Sequence, residues 1–304
     1  MKTLIYSENV ELSLQLLGKA LQLSGADVSA LTFSASQAKE LVEYGVTVYN
    51  VKDSTTDTIK AALLQIISSE TPDLVLVGST RRGREIASRV AAILNAGYSA
   101  DCYDIQPTNG GFTTKRLTYG GSVIAMGIIK GKPAIVSAPP RSFQKPETQG
   151  QRGRIVELDL PTSSSKIKVV ETRLKRVGDA GLENAKVIVS AGRGFKKRED
   201  LRLLEELAVE LSAKMGCSRP ISADLGWMDQ WVGISGKKVA PRLYVACGIS
   251  GTIQHAAGIR DSQTIVSINS DESAGIHELS DYSLIGDIYT VLPALTKALR
   301  ERAK

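Results

Sequence analysis

Cysteine, histidine and aromatic residues are all scarce in this sequence of 304 residues. It has three cysteines and two histidines, and aromatic residues make up 5% of the chain. The cysteines, Cys102, Cys217 and Cys247, form no CxxC motif and are too few for a disulfide framework, which favours a reducing compartment. No cluster of cysteines or carboxylates at ligand spacing accompanies His255 or His277, so we expect no metal site. Any histidine-based catalysis would depend on one of these two residues.

Long apolar stretches are absent as well. No run approaches the roughly 20 apolar residues of a membrane-spanning helix, so we expect no membrane insertion. The first residues, Met1 to Glu8, lack both a signal-peptide core and an arginine-rich transit pattern, and we therefore expect a cytoplasmic protein. Lysine and arginine exceed aspartate and glutamate by 38 to 32, a modest excess of 6. Because the densest basic cluster is only Lys196-Lys197-Arg198, no nucleic-acid partner is expected.

Short apolar runs alternate with amphipathic segments in the first part of the chain, and this rhythm predicts an α/β domain with a parallel sheet. The predicted strands are Thr3–Tyr6, Val28–Phe33, Leu74–Gly78 and Ser99–Ile105. The predicted helices are Val10–Leu23, Gln37–Tyr44, Thr58–Ser69 and Arg84–Leu94.

From Gly110 onward, strand signals follow one another without helices and are separated by Gly-Gly, Gly-Lys and Pro-Pro pairs. This block predicts antiparallel or mixed strands that complete the edge of the first sheet. Its strands are Gly111–Tyr119, Val123–Lys130, Pro133–Ala138 and Arg154–Leu158.

Pro161–Ser165 has the composition of a linker, and Lys168–Leu174 reads as a possible last strand. We place the domain boundary between Lys175 and Asn184, giving domains 1–180 and 181–304. A second alternating series then predicts another nucleotide-binding type of α/β fold. Its strands are Val187–Ser190, Leu243–Cys247, Thr264–Ile268 and Tyr282–Ile285, and its helices are Glu199–Met215, Thr252–Gly258 and Asp287–Glu301.

Two glycine-rich turns follow strands of the second domain, Ala191-Gly192-Arg193-Gly194 and Gly248-Ile249-Ser250-Gly251. Such a turn lets backbone N–H groups approach a phosphate, because glycine has no Cβ to hold the anion away. Neither turn is a GxGxxG or Walker A motif, so each taken alone also fits an ordinary tight connection. These residues taken alone also fit an NAD-dependent or other nucleotide-binding enzyme on a Rossmann-like fold, and this alternative stays open.

The segment Gly248–His255 closely resembles the most distinctive segment of the electron-transfer flavoprotein alpha subunit, and neighbouring segments resemble that family in the same order. They are Val187–Gly194, Gly216–Arg219, Val232–Lys237, Ala240–Tyr244, Ile265–Asn269 and Asp281–Asp287, with Leu76–Arg89 and Tyr119–Ala125 in the first domain.

That resemblance implies an N-terminal α/β domain of nucleotide-hydrolase type at a heterodimer interface and a C-terminal Rossmann-like, FAD-binding domain with a parallel sheet. It implies an FAD-carrying electron carrier rather than an enzyme, with a beta subunit as partner and with flavoprotein dehydrogenases and a downstream acceptor as transient partners. The residues implied to line FAD are Arg193, Ser218, Arg219, Val232, Gly233, Ile234, Ser235, Ser250, Gly251, Thr252, Ile253, Gln254, His255, Asn269, Asp287 and Ile288.

Three of these residues are implied to tune the flavin. Arg219 would stabilise the negative charge of the reduced ring, Ser235 would offer a hydroxyl near N5, and His255 would lie on the O2 side. Ser250 and the Gly251 turn would meet the diphosphate, and Asn269 with Asp287 would face the adenosine end. Many family members have Gln-Thr where this chain has Ile234-Ser235, so the side-chain amide of the glutamine is absent here. In this respect the chain resembles the FixB branch of the family.

Other residues carry weaker expectations. Trp227 and Trp231 either cover the flavin edge or pack in the core. We expect Cys217 to pack rather than to act as a redox thiol, and His277 to be a surface or interface residue. The Arg81–Arg84 turn fits an anion site less well than a solvated surface.

Overall fold

The computed structural model describes residues 1–25, 27–121, 123–147, 150, 152–160, 170–171 and 181–302. The chain forms two compact units, Met1–Val170 and Glu171–Lys304. The linker predicted at Pro161–Ser165 and most of the strand predicted at Lys168–Leu174 lie outside the described residues. The predicted boundary between residues 180 and 181 adjoins the undescribed residues 172–180, and it stays a prediction.

The first unit is built on a seven-stranded parallel sheet with helices on both faces. The strands of this unit, seven of which form that sheet, are in chain order β1 Thr3–Tyr6, β2 Val28–Thr32, β3 Thr47–Asn50, β4 Leu74–Gly78, β5 Tyr98–Ser99, β6 Cys102–Thr108, β7 Gly111–Thr118, β8 Val123–Lys130, β9 Ala134–Ala138 and β10 Arg154–Glu157. Its helices are α1 Val10–Ser24, α2 Ala35–Leu41, α3 Thr56–Glu70 and α4 Arg81–Leu94. The sheet order β10-β3-β2-β1-β4-β9-β5 is parallel throughout, which confirms the predicted pairing.

Alternate residues of the central strands enter two separate cores. Ile5 joins the core under α1 and α2, whereas Leu4 and Tyr6 join the core under α3 and α4. Because both faces are covered, β4 is apolar along its length and fully buried, as expected of a central parallel strand. Each of the four helices begins at a side-chain cap; Thr80, for example, accepts a hydrogen bond of 2.8 Å from the Gly83 N–H.

Strands β6, β7 and β8 form a separate three-stranded antiparallel sheet. The prediction of antiparallel or mixed strands is therefore confirmed, but the prediction that the block from Gly110 onward completes the edge of the first sheet is wrong for β7 and β8. Of the remaining strands, β9 lies inside the main sheet and only β10 lies at its edge. One face of the small sheet packs into the core, whereas its opposite face, here the open face, is exposed. The apolar residues of the open face are Leu117, Ile124, Met126 and Ile128, which are 45%, 56%, 73% and 62% exposed, and Thr113 and Lys115 lie on the same face.

The second unit contains a five-stranded parallel sheet. Its strands are β11 Val187–Ala191, β12 Lys214–Cys217, β13 Leu243–Cys247, β14 Ile265–Asn269 and β15 Tyr282–Ile285, and its helices are α5 Arg202–Glu210, α6 Ile253–Ile259 and α7 Ile288–Arg302. The sheet order is β12-β11-β13-β14-β15. Since β12 and β13 lie on opposite sides of β11, the strand order reverses there, and the gap between β11 and β13 is the topological switch point.

The helix predicted over Glu199–Met215 is wrong at its C-terminal end. The helix α5 stops at Glu210, Ser212 adopts a left-handed φ of 49°, and the chain re-enters the sheet as β12. The strand β3 was not predicted, because its half-buried Thr-Val-Tyr-Asn sequence carries little apolar signal. The strand predicted at Ser99–Ile105 is split into β5 and β6 at Asp101, whose φ is 55°. Within the described residues, no helix is long and apolar enough to cross a bilayer.

Candidate functional site

The residues proposed from sequence come together at one edge of the second sheet. Because its five strands are parallel, their carboxyl ends lie on the same side, and each end leads into a segment that the sequence singled out. We call this group of segments the carboxyl edge: Arg193 after β11, Ser218–Arg219 after β12, Ser250–His255 after β13, Asn269 at the end of β14, and Asp287–Ile288 after β15. Ligands of open α/β sheets bind at this edge, at the switch point.

The two glycine turns lie side by side at the switch point. Gly192 N–H donates to the Cys247 carbonyl at 2.8 Å, and Gly194 N–H donates to the Gly248 carbonyl at 3.0 Å. A Cβ on Gly194 would lie 2.7 Å from the Gly248 Cα, and Gly248 has a φ of 63°. These glycines are therefore needed for the contact between the turns as well as for access of a ligand to the backbone.

The segment Val232–Ser235 is fixed to the start of α6. Ile234 N–H donates to the Gln254 carbonyl at 2.8 Å, and Val232 N–H donates to the Cys217 carbonyl at 2.8 Å. A Cβ on Gly258 of α6 would lie 2.5 Å from the Gly233 nitrogen. Val232–Ser235 and the start of α6, which are separate in sequence, are thus hydrogen-bonded or packed against each other, and Val232 is also bonded to the end of β12.

A row of backbone donors lies at the turn after β13. The N–H groups of residues 250–254 have no hydrogen-bond acceptor in the described part of the chain, and Ser250, Thr252, Ile253 and Gln254 are exposed. Two exposed arginines belong to the same edge. Within the described residues, the guanidinium groups of Arg193 and Arg219 make no hydrogen bond or ion pair. This set of donors and positive charges is suited to an anionic group such as a diphosphate.

His255 lies in the interior below this edge rather than on its surface. The residue is 5% exposed, and its Nε2 is 3.0 Å from the hydroxyl of the fully buried Tyr244 on β13. Burial lowers the pKa of His255 to about 4, with the Val232 backbone acting in the opposite direction, so the imidazole is neutral near pH 7. The sequence analysis did not include Tyr244 in the site, because a tyrosine inside an apolar strand is typical of a core residue.

Several proposed residues already have protein partners. Asn269 donates through Nδ2 to the Ile249 carbonyl at 2.9 Å, and the Asp287 carboxylate accepts from the Tyr289 N–H at 3.0 Å. Trp231 Nε1 donates to the Ser235 hydroxyl at 3.4 Å. The side chains of Val232 and Ile288 are 1% and 4% exposed and belong to the cores of this unit. Only the backbones of these last two residues are therefore available to a ligand.

The remaining candidates have packing roles. Cys217 is buried, and burial raises its pKa to about 12, which agrees with a structural thiol. Trp227 and Trp231 are partly buried against the core of α5 and α7. His277 is half-buried, and its Nδ1 lies 2.9 Å from the hydroxyl of buried Ser267 on β14.

Comparison with known proteins gives two family matches. The model described as "Electron transfer flavoprotein domain" matches residues 5–163, about half of the chain. The model described as "Electron transfer flavoprotein FAD-binding domain" matches residues 181–260, which include the segments after β11, β12 and β13.

Similar proteins cover almost the whole chain. Protein FixB of Clostridium saccharobutylicum is 34% identical over 96% of this chain and 92% of its own length. The electron transfer flavoprotein subunit alpha of Bacillus subtilis is 34% identical over 88% of this chain and 84% of its own length. The corresponding subunit of Megasphaera elsdenii is 33% identical over 96% of this chain and 93% of its own length. The chain therefore belongs to the electron transfer flavoprotein family, among its alpha subunits.

Proposed function

We propose that this chain is the FAD-carrying alpha subunit of a heterodimer that passes electrons between flavoprotein dehydrogenases and a downstream acceptor. The observation that carries the proposal is the convergence of the proposed cofactor residues on the carboxyl edge. Five loops that span the second unit from Arg193 to Ile288 meet there. We further propose that the chain catalyses no reaction of its own beyond flavin redox, as expected of an electron carrier.

The carboxyl edge fits an FAD molecule in length and in chemistry. Four spacings of about 4.8 Å between the five strands make an edge about 19 Å long, enough for an extended dinucleotide. The donor row at residues 250–254 and the two exposed arginines suit its diphosphate. Ile234 and Ile253, 48% and 61% exposed on the two joined segments, offer apolar surface to its ring system.

When bound, FAD supplies the redox chemistry by taking up electrons and passing them on. The protein groups would position it and set its electrostatic environment. Ser250 and the Gly251 turn would hold the diphosphate, and Arg219 would place a positive charge beside the ring. That charge favours the form of the cofactor that carries more negative charge. The exposed Ser235 would offer its hydroxyl to the flavin ring. His255 is buried and would act indirectly, through β13 and α6, which its hydrogen bond to Tyr244 joins.

An absorption spectrum tests this proposal against an NAD-dependent enzyme. The chain purified together with its second subunit should show flavin bands that bleach on reduction by dithionite. A colourless complex that takes up NAD but not FAD would overturn the proposal in favour of the enzyme. The chain expressed alone should hold FAD poorly, since the family relatives carry the name of one subunit of a larger protein.

The role of Arg219 has its own test. Arg219→Ala should leave most FAD bound and lower the flavin midpoint potential, because a positive charge near the ring is lost. A loss of about 1 kcal/mol corresponds to roughly 40 mV for a one-electron couple. Arg242→Ala is the matched control, an exposed arginine just before β13 at the amino edge of the same sheet. Equal potentials in the two variants would refute this role.

The second subunit is proposed to cover the open face of the first unit. Four exposed apolar side chains lie together there, on and beside β8, which is an outer strand of the small sheet in the described part of the chain, and such surfaces are typical of protein interfaces. Met126→Lys should reduce copurification of the second subunit. Ile93→Lys is the control, because Ile93 is 58% exposed on α4 of the same unit. Full retention of the partner by the Met126 variant would argue for a different interface.

The cytoplasmic location stays a prediction. It is supported by the three cysteines, which are all buried and free, as expected in a reducing compartment.

A further inference from the structure

A loop with an excess of positive charge adjoins the carboxyl edge. It comprises residues 193–198, between β11 and α5, and we call it the basic loop. The basic side chains of this loop are all exposed: Arg193, Lys196, Lys197 and Arg198. Two carboxylates follow, those of Glu199 and Asp200, so the four positive charges outnumber the neighbouring negative ones.

The backbone of the basic loop is held in place from two sides. The Phe195 side chain is 2% exposed and packs in the core of α5 and α7. Before it, Gly194 N–H donates to the Gly248 carbonyl at 3.0 Å, which ties the loop to the switch point. After it, Lys196 N–H donates to the Tyr289 hydroxyl of α7 at 2.8 Å. The loop therefore presents its charges from a fixed backbone beside the carboxyl edge.

The nearest buried carboxylate interaction of the loop does not neutralise its cations. The Asp200 carboxylate accepts from the Lys197 N–H at 3.1 Å and from the Tyr289 hydroxyl at 2.6 Å. It thus holds the backbone rather than a basic side chain. The Lys196 ammonium lies over the Tyr289 ring, 5.6 Å from the centroid, a contact that fixes the side chain and leaves its charge in place.

Other cations of the second unit differ in this respect. Lys237 lies 3.1 Å from a carboxylate oxygen of Glu183, and Arg300 lies 2.6 Å from one of Glu210. Within the described residues, no basic side chain of the loop has such a partner. The loop is therefore a place where positive charge is available to another molecule.

We propose that the basic loop is a docking surface for an acidic surface on the redox protein that exchanges electrons with this subunit. The inference rests on the proposed function, because an electron carrier has to bind and release a partner in every cycle. Complementary charges suit such an encounter, since they speed association more than they strengthen the complex. Nucleic acid fits less well, because a single loop is not an extended basic face.

The test uses the complete protein, with its second subunit and FAD, and plant-type ferredoxin as an acidic redox probe. Stopped-flow absorbance follows reduction of FAD by reduced ferredoxin, with one electron leaving the iron–sulfur cluster in each productive encounter. In the double variant Lys197→Glu/Arg198→Glu, the second-order rate constant should fall about tenfold at an ionic strength of about 0.02 M. The difference should shrink to about twofold at about 0.5 M, because salt screens exposed charges.

The double variant Lys186→Glu/Arg242→Glu is the matched control. Both residues are exposed and lie just before β11 and β13, at the amino edge of the same sheet, and the change in charge is the same. The rate constant of this control should change less than about twofold. Both double variants should keep their FAD, since none of the four residues belongs to the proposed cofactor site.

Three outcomes would overturn the proposal. Equal rate constants in the loop variant and the control variant would show that the position of the charges is irrelevant. A rate constant of the unmodified protein that does not fall with ionic strength would exclude the docking surface even if the loop variant did not fold. Tighter binding of duplex DNA than of ferredoxin, lost in the loop variant, would assign the loop to nucleic acid.

Failure of the proposed function is separable from failure of the docking surface. Isothermal titration with oxidised ferredoxin measures binding without electron transfer, and the dissociation constant should rise about tenfold in the loop variant and stay unchanged in the control. A complex without flavin bands would refute the proposed function, and the same titration would still report on the basic loop.

Discussion

Replacing Gly251 by alanine should destabilise the second unit more than an ordinary glycine replacement does. Gly251 has a φ of 80°, and a Cβ there would overlap the Ile276 nitrogen and lie 2.5 Å from the Ile276 Cα. Both neighbours are backbone atoms, and the Ile276 N–H donates to the Ser250 carbonyl at 3.2 Å. An alanine side chain would have to displace the backbone segment around Ile276, because a backbone atom cannot rotate aside as a side chain can.

Two contributions add to the expected loss. A left-handed φ costs an alanine about 1–2 kcal/mol, and overpacking against fixed atoms costs about 1–3 kcal/mol more. Gly226→Ala separates them, since Gly226 has a φ of 64° but no atom within 4 Å of its Cβ position. We expect a loss of about 1–2 kcal/mol for Gly226→Ala and of about 2–5 kcal/mol for Gly251→Ala in the free energy of unfolding.

Urea unfolding of the FAD-free chain, followed by tryptophan fluorescence, measures this difference. Both tryptophans, Trp227 and Trp231, belong to the second unit, so the signal reports that unit alone. The slopes of the two transitions should match, which makes the midpoints comparable. Equal losses in the two variants would refute the steric reasoning, because the variants share the φ strain and differ in the space around the new methyl group.

Three further predictions concern single side chains. Cys217 and Cys247 should resist a thiol reagent at about pH 8 in the folded chain and react in urea, because burial raises both pKa values to about 12; rapid labelling of the folded chain would contradict this. Since the pKa of His255 falls from 6.5 to about 4 on folding, the unfolded chain binds the extra proton, and up to about 3 kcal/mol of stability should be lost as pH falls between these values. Unfolding midpoints across that range should show a smaller slope in His255→Gln than in the unmodified chain, and identical slopes would exclude the assignment. Thr80→Ala should cost the first unit about 1 kcal/mol of unfolding free energy through loss of the α4 cap, measured by urea unfolding monitored by circular dichroism, and no change in midpoint would show that the cap is dispensable.

The parts of the fold that could be predicted from sequence are those with a strong local pattern. The strand Leu74–Gly78 is an uninterrupted apolar run, and burial of both its faces is the reason for that pattern. The glycine turns after β11 and β13 could also be predicted, because close backbone contact excludes a Cβ at these positions and leaves a recognisable pattern of glycines. Parallel pairing then follows from the alternation of strands and helices, and it brings the turns to one edge.

The parts that could not be predicted depend on which elements meet in space. The amphipathic pattern of α5 runs without a break into the residues of β12, and only the turn at Ser212 separates them. The separate sheet of β6 to β8 has the same local pattern as a set of edge strands. The hydrogen bond between Tyr244 and His255 joins two elements, and no local pattern indicates this contact, although the family resemblance singled out His255.

The wide spacing of the carboxyl-edge segments has a thermodynamic consequence. The site draws on loops from all five strands of the second unit, so it exists only when the whole sheet has formed. A cofactor that binds there binds the native state and not the unfolded chain, and it stabilises folding by RT ln(1 + [L]/Kd). At a hundredfold excess over Kd this amounts to about 2.7 kcal/mol. Cofactor binding would therefore reduce the fraction of this unit that is unfolded and open to proteases.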